Sequence, residues 1–424
     1  MKIYCAPRDS WDAPKRTDLN VLLFDVADKK SEGSIGHSLI ETIERLKLTP
    51  AQRTWDLLSI ALGVVAADHG CLRRTSPDGW TRKIELSVAV SDPKFWGGQA
   101  HALESALCFL TGDVWEVSFT EGGISPKPPK HPKPRDETVA CLLSGGMDSL
   151  IGTIDLAAAP GELPLLVSQV SKGDKTNQTY FARQIFGDDH HLQLNHYVKT
   201  PDESETSQRA RSFIFLAYGV LAATALKSYK ASGKTTLIVP ENGFISLNVP
   251  LTPMRLGSLS TRTTHPAFID RFQALLAAAG LGIKLLNPYQ LKTKGQMLAE
   301  CKNQKLLEKL AGSTTSCGRS ARINKHCGRC VPCLIRRAAF HRWNGADPTD
   351  YKYKDLSRRG SDYRAFDDVR AAAMAVEYVR RNGIGRWTAG ALNSAQLGDV
   401  SKYQDVAKRG LEELEAFLAA AKVK

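Results

Sequence analysis

Val139-Ala140-Cys141-Leu142-Leu143-Ser144-Gly145-Gly146-Met147-Asp148-Ser149 decides how this chain is read. Its first five residues are apolar and predict a strand buried on both faces of a parallel sheet. Ser-Gly-Gly predicts a tight turn, and residues 150–156 the helix that follows. Adjacent glycines let the backbone approach a ligand closely and adopt φ > 0. The unpaired N–H groups of the helix start then point at an anion, with the helix dipole behind them. Such a turn is a phosphate cradle, expected to face solvent. It is not a Walker A loop, because no Gly-Lys-Ser/Thr follows the glycines.

Outward from this stretch, residues 138–343 alternate between strand and helix patterns. Strands are predicted over 163–168, 192–198 and 236–240, and helices over 177–186 and 212–229. Such alternation means βαβ units, hence an α/β fold with a parallel sheet and helices on both faces. Ligands of these sheets sit beyond the strand C-termini, at the topological switch point. The Ser-Gly-Gly turn and the Pro240-Glu241-Asn242-Gly243 turn both fall there and should face one site.

Residues 122–136 are rich in proline and lysine and predict a semi-rigid polyproline spacer. They divide an N-terminal module (1–121) from the α/β domain (137–345). The module mixes strands (21–26, 83–90, 113–120) with helices (51–68, 99–110) and reads as α+β. It shows no catalytic constellation, which suggests docking of a partner or substrate. Residues 346–424 are charged, with helical periodicity over 366–381 and 406–421, and read as an appendage with no site of its own.

With 424 residues and 42% hydrophobic content the chain is an ordinary globular protein of two or three domains. No apolar stretch approaches the roughly 18 residues needed to span a bilayer, and the first residues lack a signal-peptide core. A cytoplasmic protein with no membrane partner is expected. The net charge of +13 favours anionic partners. No block is strongly basic, so nucleic acid is not the favoured one.

Nine cysteines, an odd number, argue against a secreted disulfide framework, and four of them cluster. Cys327-Gly-Arg-Cys330-Val-Pro-Cys333 places three thiolates on one turn, and Cys317 can loop back as a fourth. A closed Cys₄ set is what structural Zn²⁺ prefers; an iron–sulfur cluster is the alternative.

Ser-Gly-Gly-x-Asp-Ser resembles the PP-loop of the N-type ATP pyrophosphatases, which split ATP into AMP and pyrophosphate. A PP-loop followed far downstream by Cys…Cys327-Gly328-Arg329-Cys330-Val331-Pro332-Cys333-Leu334-Ile335-Arg336 is similar to the QueC family, the 7-cyano-7-deazaguanine synthases. Arg211-Ser212-Phe213-Ile214-Phe215 agrees with that family's Arg-Asn-x-x-Phe, with Ser212 in place of Asn. Ser168-Gln169-Val170-Ser171-Lys172 stands where the family carries Asp-Tyr-Gly-Gln. The long N-terminal module, Glu241-Asn242-Gly243 and the stretch 260–266 look more like the QueC-like proteins of anti-phage defence systems.

The resemblance implies a PP-loop fold of the adenine nucleotide alpha hydrolase type, with ATP, Mg²⁺ and Zn²⁺ as cofactors. It implies adenylation of 7-carboxy-7-deazaguanine, release of pyrophosphate, and transfer to ammonia or to an amine of a partner protein encoded nearby. Ser144, Gly145, Gly146 and Ser149 would hold the pyrophosphate, and Asp148 would hold Mg²⁺ or orient phosphates. Arg211 or Arg262 would neutralise the α-phosphate, and Glu241 with Asn242 would read the guanine-like edge. The competing classes are a PP-loop tRNA-modifying enzyme, of thiolase or lysidine type, and a nucleotide-binding subunit without turnover.

Overall fold

β6, Val139–Leu142, is buried at every residue and lies at the centre of a five-stranded sheet. The computed structural model describes all residues except 13–16, 134, 171–173, 253–261, 318–324, 357–367 and 424. β7 (Pro164–Gln169) and β8 (His191–Leu194) extend the sheet on one side of β6. β9 (Lys234–Ile238) and β10 (Gly282–Leu286) extend it on the other, and every pairing is parallel. Alternate residues of β6 feed two cores. Ala140 and Leu142 pack with the Arg211–Thr224 helix, and Val139 and Cys141 pack with the Met147–Ala157 helix. The chain reverses its direction of growth between β6 and β9, so the switch-point crevice opens at their C-terminal ends.

The N-terminal region forms a second sheet with the same order. β1 (Lys2–Pro7) is central, β2 (Leu19–Leu23) and β3 (Gly33–Ile35) lie on one side, and β4 (Lys83–Ala89) and β5 (Val114–Thr120) on the other. All four pairings are parallel, so the expected α+β module is corrected to an α/β one. β1 begins at the chain start and ends in proline, and β3 has three residues, so neither gives a readable alternation. This sheet's own switch point is filled by the chain itself. Gly123 passes so close to Ser91 that a Cβ would lie 2.2 Å from the Ser91 amide nitrogen, and Ser10 Oγ donates to the Gly122 carbonyl at 2.7 Å.

The two sheets are not held apart. The Gln52–Gly70 helix covers β2 and β4 and packs along the Arg211–Thr224 helix, and the Pro93–Thr111 helix packs on the Pro266–Ala278 helix. Leu57, Leu62 and Val88 thus belong to the same buried cluster as Leu142, Phe213 and Leu237. The proline-rich segment expected as a spacer lies along this joint. Gln52 Nε2 donates to the Ile124 carbonyl at 2.9 Å and the Lys133 amide to the Lys47 carbonyl at 3.1 Å.

The predicted helix over 212–229 breaks in two, Arg211–Thr224 and Lys227–Ser232. Leu226 between them is extended and bridges to Arg135, so pairing with the incoming chain overrides local helix propensity. The predicted strand over 192–198 stops at Leu194, and Tyr197 adopts φ 40°. The C-terminal helices, Asp368–Asn382, Ile384–Leu392 and Val400–Ala420, share a core with Phe244, Val249, Leu334 and Ile335. Among the described residues no helix is long and apolar enough to cross a membrane.

Because one core serves both sheets, deleting residues 1–121 should leave an aggregating chain without a cooperative melt, as judged by size exclusion and calorimetry. A monodisperse 122–424 fragment that melts cooperatively would contradict the shared core.

Candidate active site

The turn after β6 is built as a cradle. Gly145 has φ 90°, a conformation that side-chain-bearing residues rarely adopt, and Gly146 is the N-cap of the Met147–Ala157 helix. No side chain caps this helix, so its first N–H groups are left for a ligand. Ser149 Oγ accepts from the Ser144 amide at 3.2 Å and donates to the Gly146 carbonyl at 3.0 Å, closing the turn. Gln178, fully buried, clamps the loop from outside by donating to the Ser144 and Gln169 carbonyls at 3.1 and 3.0 Å.

Asp148 was expected beside solvent but is 5% exposed. One carboxylate oxygen takes the ammonium of Lys294, itself 7% exposed. The other accepts from Asn242 Nδ2 at 2.7 Å. Glu241 completes the cluster through Asn242 Nδ2, which donates to its Oε1 at 3.2 Å. Burial alone would raise the Asp148 carboxyl, but the Lys294 charge and the hydrogen bonds around it hold it well below the usual range. Glu241 is pushed well above its usual value, by burial first and by the Asp148 anion second. The two acids are therefore pushed in opposite directions, Asp148 down and Glu241 up.

Lys294 was not among the residues read from the sequence. It is the first residue of the Lys294–Glu300 helix, where a cation opposes the helix dipole, and that anomaly was a signal. Thr293 and Gln296 form a capping box around it. Glu413, on the Val400–Ala420 helix, accepts from Thr293 Oγ1 and from the Gly295 amide. Arg409 of the same helix donates to the Leu291 carbonyl at 3.0 Å. The C-terminal region, read as an appendage without a site, is a brace for Lys294.

A cavity of about 320 Å³ opens beside the cradle. Ser144, Ser149 and Glu241 line one side, and Gln208, Arg211 and Ser212 another. Arg211 is thus where the sequence predicts it. Ser212 Oγ is buried without a partner. Arg262 is not among the lining residues. Its guanidinium lies 4.8 Å from the Phe109 ring centroid and donates to the Phe109 carbonyl at 3.1 Å. Asn242 does not line the cavity either, since its amide serves Asp148 and its Oδ1 accepts from the Ile245 amide. Within the stretch 260–266, residues 260 and 261 lie outside the described residues. His265 is a structural N-cap that accepts from the Ala267 amide at 3.2 Å.

Asp148 as placed does not suit Mg²⁺, because one of its oxygens holds the Lys294 ammonium and the other accepts from Asn242 Nδ2. A cation arriving with ATP would be held by the phosphates rather than by Asp148.

The Sγ atoms of Cys317, Cys327, Cys330 and Cys333 lie within 4.8 Å of one another, all buried. Cys317 and Cys330 are 3.8 Å apart, as are Cys327 and Cys333. A tetrahedron with Zn–S bonds of about 2.3 Å has edges near 3.8 Å, so the set fits one ion. An iron–sulfur cluster, in which different irons are bound, needs thiolates farther apart. His326 is not a ligand, since its Nε2 accepts from the Ser316 amide at 3.1 Å. Arg336, buried at the end of the motif, connects the knuckle to the cradle. It donates to Thr314 Oγ1 at 2.6 Å and to the Ala311 carbonyl at 2.9 Å, and the Thr315 amide donates to the Gly145 carbonyl at 3.1 Å.

Two outcomes follow from this geometry. Elemental analysis should give one zinc per chain, and Cys330→Ser should lose it and lower Tm by at least about 5 °C; iron without zinc would contradict the assignment. Glu241 has a raised folded-state pKa, so its contribution to stability is complete below its usual 4.5 and is lost as pH rises through the elevated value. Glu241→Gln lacks that loss. The Tm of the variant minus that of the unaltered protein should therefore increase from pH 5 to pH 9, and parallel profiles would contradict the upward shift of Glu241.

Residues 263–344 match the family model described as QueC, queuosine biosynthesis protein QueC. The chain is 37% identical over 109 residues to the 7-cyano-7-deazaguanine synthase of Rhizobium etli, which covers 25% of this chain and 44% of that protein. It is 38% identical over 104 residues to the proteins of the same name from Brucella ovis and Brucella suis, covering 24% of this chain and 42% of theirs. The chain thus spans less than half the length of the curated relatives it matches, and the part that matches the QueC family model, residues 263–344, includes Lys294 and all four knuckle cysteines.

Proposed function

We propose that this chain is an ATP-dependent carbon–nitrogen ligase of QueC type. It adenylates the carboxylate of a 7-deazaguanine, releases pyrophosphate, and passes the acyl group to a nitrogen acceptor. The observation that carries this reading is one cavity at the switch point of the second sheet, lined by Ser144 and Ser149 of the cradle, by Arg211 and by Glu241, beside an uncapped helix start and the buried Asp148–Lys294 pair.

A carboxylate is a poor electrophile until one oxygen becomes part of a good leaving group. Attack of that oxygen on the α-phosphorus supplies AMP as the leaving group and expels pyrophosphate. The protein's part is positioning and charge stabilisation. The N–H groups at the start of the Met147–Ala157 helix, with the Ser144 and Ser149 hydroxyls, receive the departing pyrophosphate. Arg211 on the opposite wall neutralises the α-phosphate. Lys294, paired with Asp148 on the first turn of the cradle helix, fixes that turn. Glu241, which lines the cavity, presents its carboxyl group to the base edge.

A nitrogen nucleophile then attacks the acyl carbon and AMP departs. With ammonia the product is an amide, and a second activation dehydrates it to the nitrile of 7-cyano-7-deazaguanine. With an amine of a partner protein the product is a conjugate, the outcome suited to anti-phage defence. Mass spectrometry of reactions with ATP, 7-carboxy-7-deazaguanine and ammonium, with and without the protein encoded beside this one, separates these acceptors. Absence of AMP and pyrophosphate in every arm would sink the proposal.

Asp148→Asn and Lys294→Met should each reduce pyrophosphate release at least about 100-fold. Each also leaves a buried partner unpaired, so each should lower Tm. The double variant Asp148→Asn/Lys294→Met should recover much of the Tm and none of the turnover. Recovery of turnover with stability would make the pair purely structural.

A further inference from the structure

The Arg211–Thr224 helix begins at Ala210 with no side-chain cap of its own. Its cap comes from the first sheet. Asp68, near the end of the Gln52–Gly70 helix, accepts from the Arg209 and Ala210 amides at 2.6 and 2.7 Å through one carboxylate oxygen. Its other oxygen takes Arg82 Nη2 at 2.6 Å. Arg82 also binds Asp113 at 2.6 Å, and Asp113 receives Arg73 through two bonds of 2.7 and 2.9 Å. Arg73 reaches back to the same segment. Its amide donates to Glu205 Oε2 at 2.8 Å and its Nε to the Ser207 carbonyl at 3.3 Å. Arg209 completes the set by donating to the Thr111 carbonyl at 3.0 Å, with its guanidinium 4.5 Å from the Trp80 ring centroid.

Two carboxylates, Asp68 and Asp113, thus meet two guanidiniums, Arg73 and Arg82, while Glu205 joins through the Arg73 amide and Arg209 through the Thr111 carbonyl, and all six residues are buried. Buried ion networks seldom stabilise a fold more than apolar packing of the same volume would. What this one does is fix geometry. It holds residues 205–210, the segment that delivers Gln208, Arg211 and Ser212 to the cavity wall. Gln208 is pinned further by its own contacts, from Nε2 to His69 Nδ1 at 3.2 Å and to the Glu205 carbonyl at 2.9 Å.

We propose that the Asp68 network of the N-terminal sheet is the positioning device for Arg211, so that this sheet sets the geometry of the α-phosphate wall. In its kinetic part the inference rests on the function proposed above. Asp68 acts through the backbone of residues 209 and 210 and is a positioning residue.

The test is a double-mutant cycle in the full-length protein, read by kcat for pyrophosphate release with ATP and 7-carboxy-7-deazaguanine, together with amide hydrogen exchange at residues 209–213. Asp68→Asn should accelerate exchange at these amides at least about tenfold while exchange in β6 and β7 stays unchanged. Asp68→Asn and Arg211→Ala should each lower kcat, and the double variant should fall no further than the worse single one. If Asp68→Asn does not fold, Glu205→Gln replaces it in both measurements with the same pattern expected. Uniformly faster exchange across both sheets, or a double variant whose loss is the product of the two single losses, would reduce the network to general stability and overturn the proposal. If the unaltered protein releases no pyrophosphate, the function proposal fails, and local against uniform exchange still decides whether Asp68 fixes the segment.

Discussion

The buried ion pair between Asp148 and Lys294 is the contact on which the rest of the site depends. Two opposite charges removed from water are costly unless every remaining lone pair and proton is satisfied. Here Asn242 satisfies the carboxylate oxygen that Lys294 leaves free, and the capping box at Thr293 fixes the backbone that carries the ammonium. Meeting those demands joins three elements at one point: the helix after β6, the turn after β9, and the helix after β10. The cradle, the acid turn and the lysine therefore keep one mutual geometry.

Both flanking regions serve that geometry. From the C-terminal side, Glu413 holds Thr293 and Gly295 on either side of Lys294. From the N-terminal side, Asp68 caps the helix that starts at Arg211. The knuckle braces the cradle through Arg336, Thr314 and Thr315. A loop that must offer bare N–H groups to a ligand has few bonds with which to hold itself, so its rigidity comes from neighbours. The N-terminal sheet illustrates the other fate of a switch point. It has the same strand order as the second sheet, yet its crevice is closed by Gly122 and Gly123.

The features recovered from the sequence are those encoded locally. Val139 to Leu143 announced a central strand because a parallel strand buried on both faces needs an unbroken apolar run. Ser144 to Ser149 announced the cradle because backbone conformation and capping depend on adjacent residues. The cysteine spacing announced a metal site for the same reason. What stayed hidden was encoded by distance in the chain. Asp148 meets Lys294 across 146 residues, and Asp68 meets Ala210 across 142. Asn242 and Arg262 had side chains suited to a substrate, but tertiary contacts gave one to Asp148 and the other to Phe109.

In the proposed reaction the cavity beside the cradle joins a carboxylate to the α-phosphate of ATP. Adenylation leaves a chemical record, because one carboxylate oxygen ends on AMP. With ¹⁸O in the carboxylate of 7-carboxy-7-deazaguanine, the account predicts AMP carrying one ¹⁸O atom, read by mass spectrometry after complete turnover. Unlabelled AMP, or label found in inorganic phosphate, would contradict it.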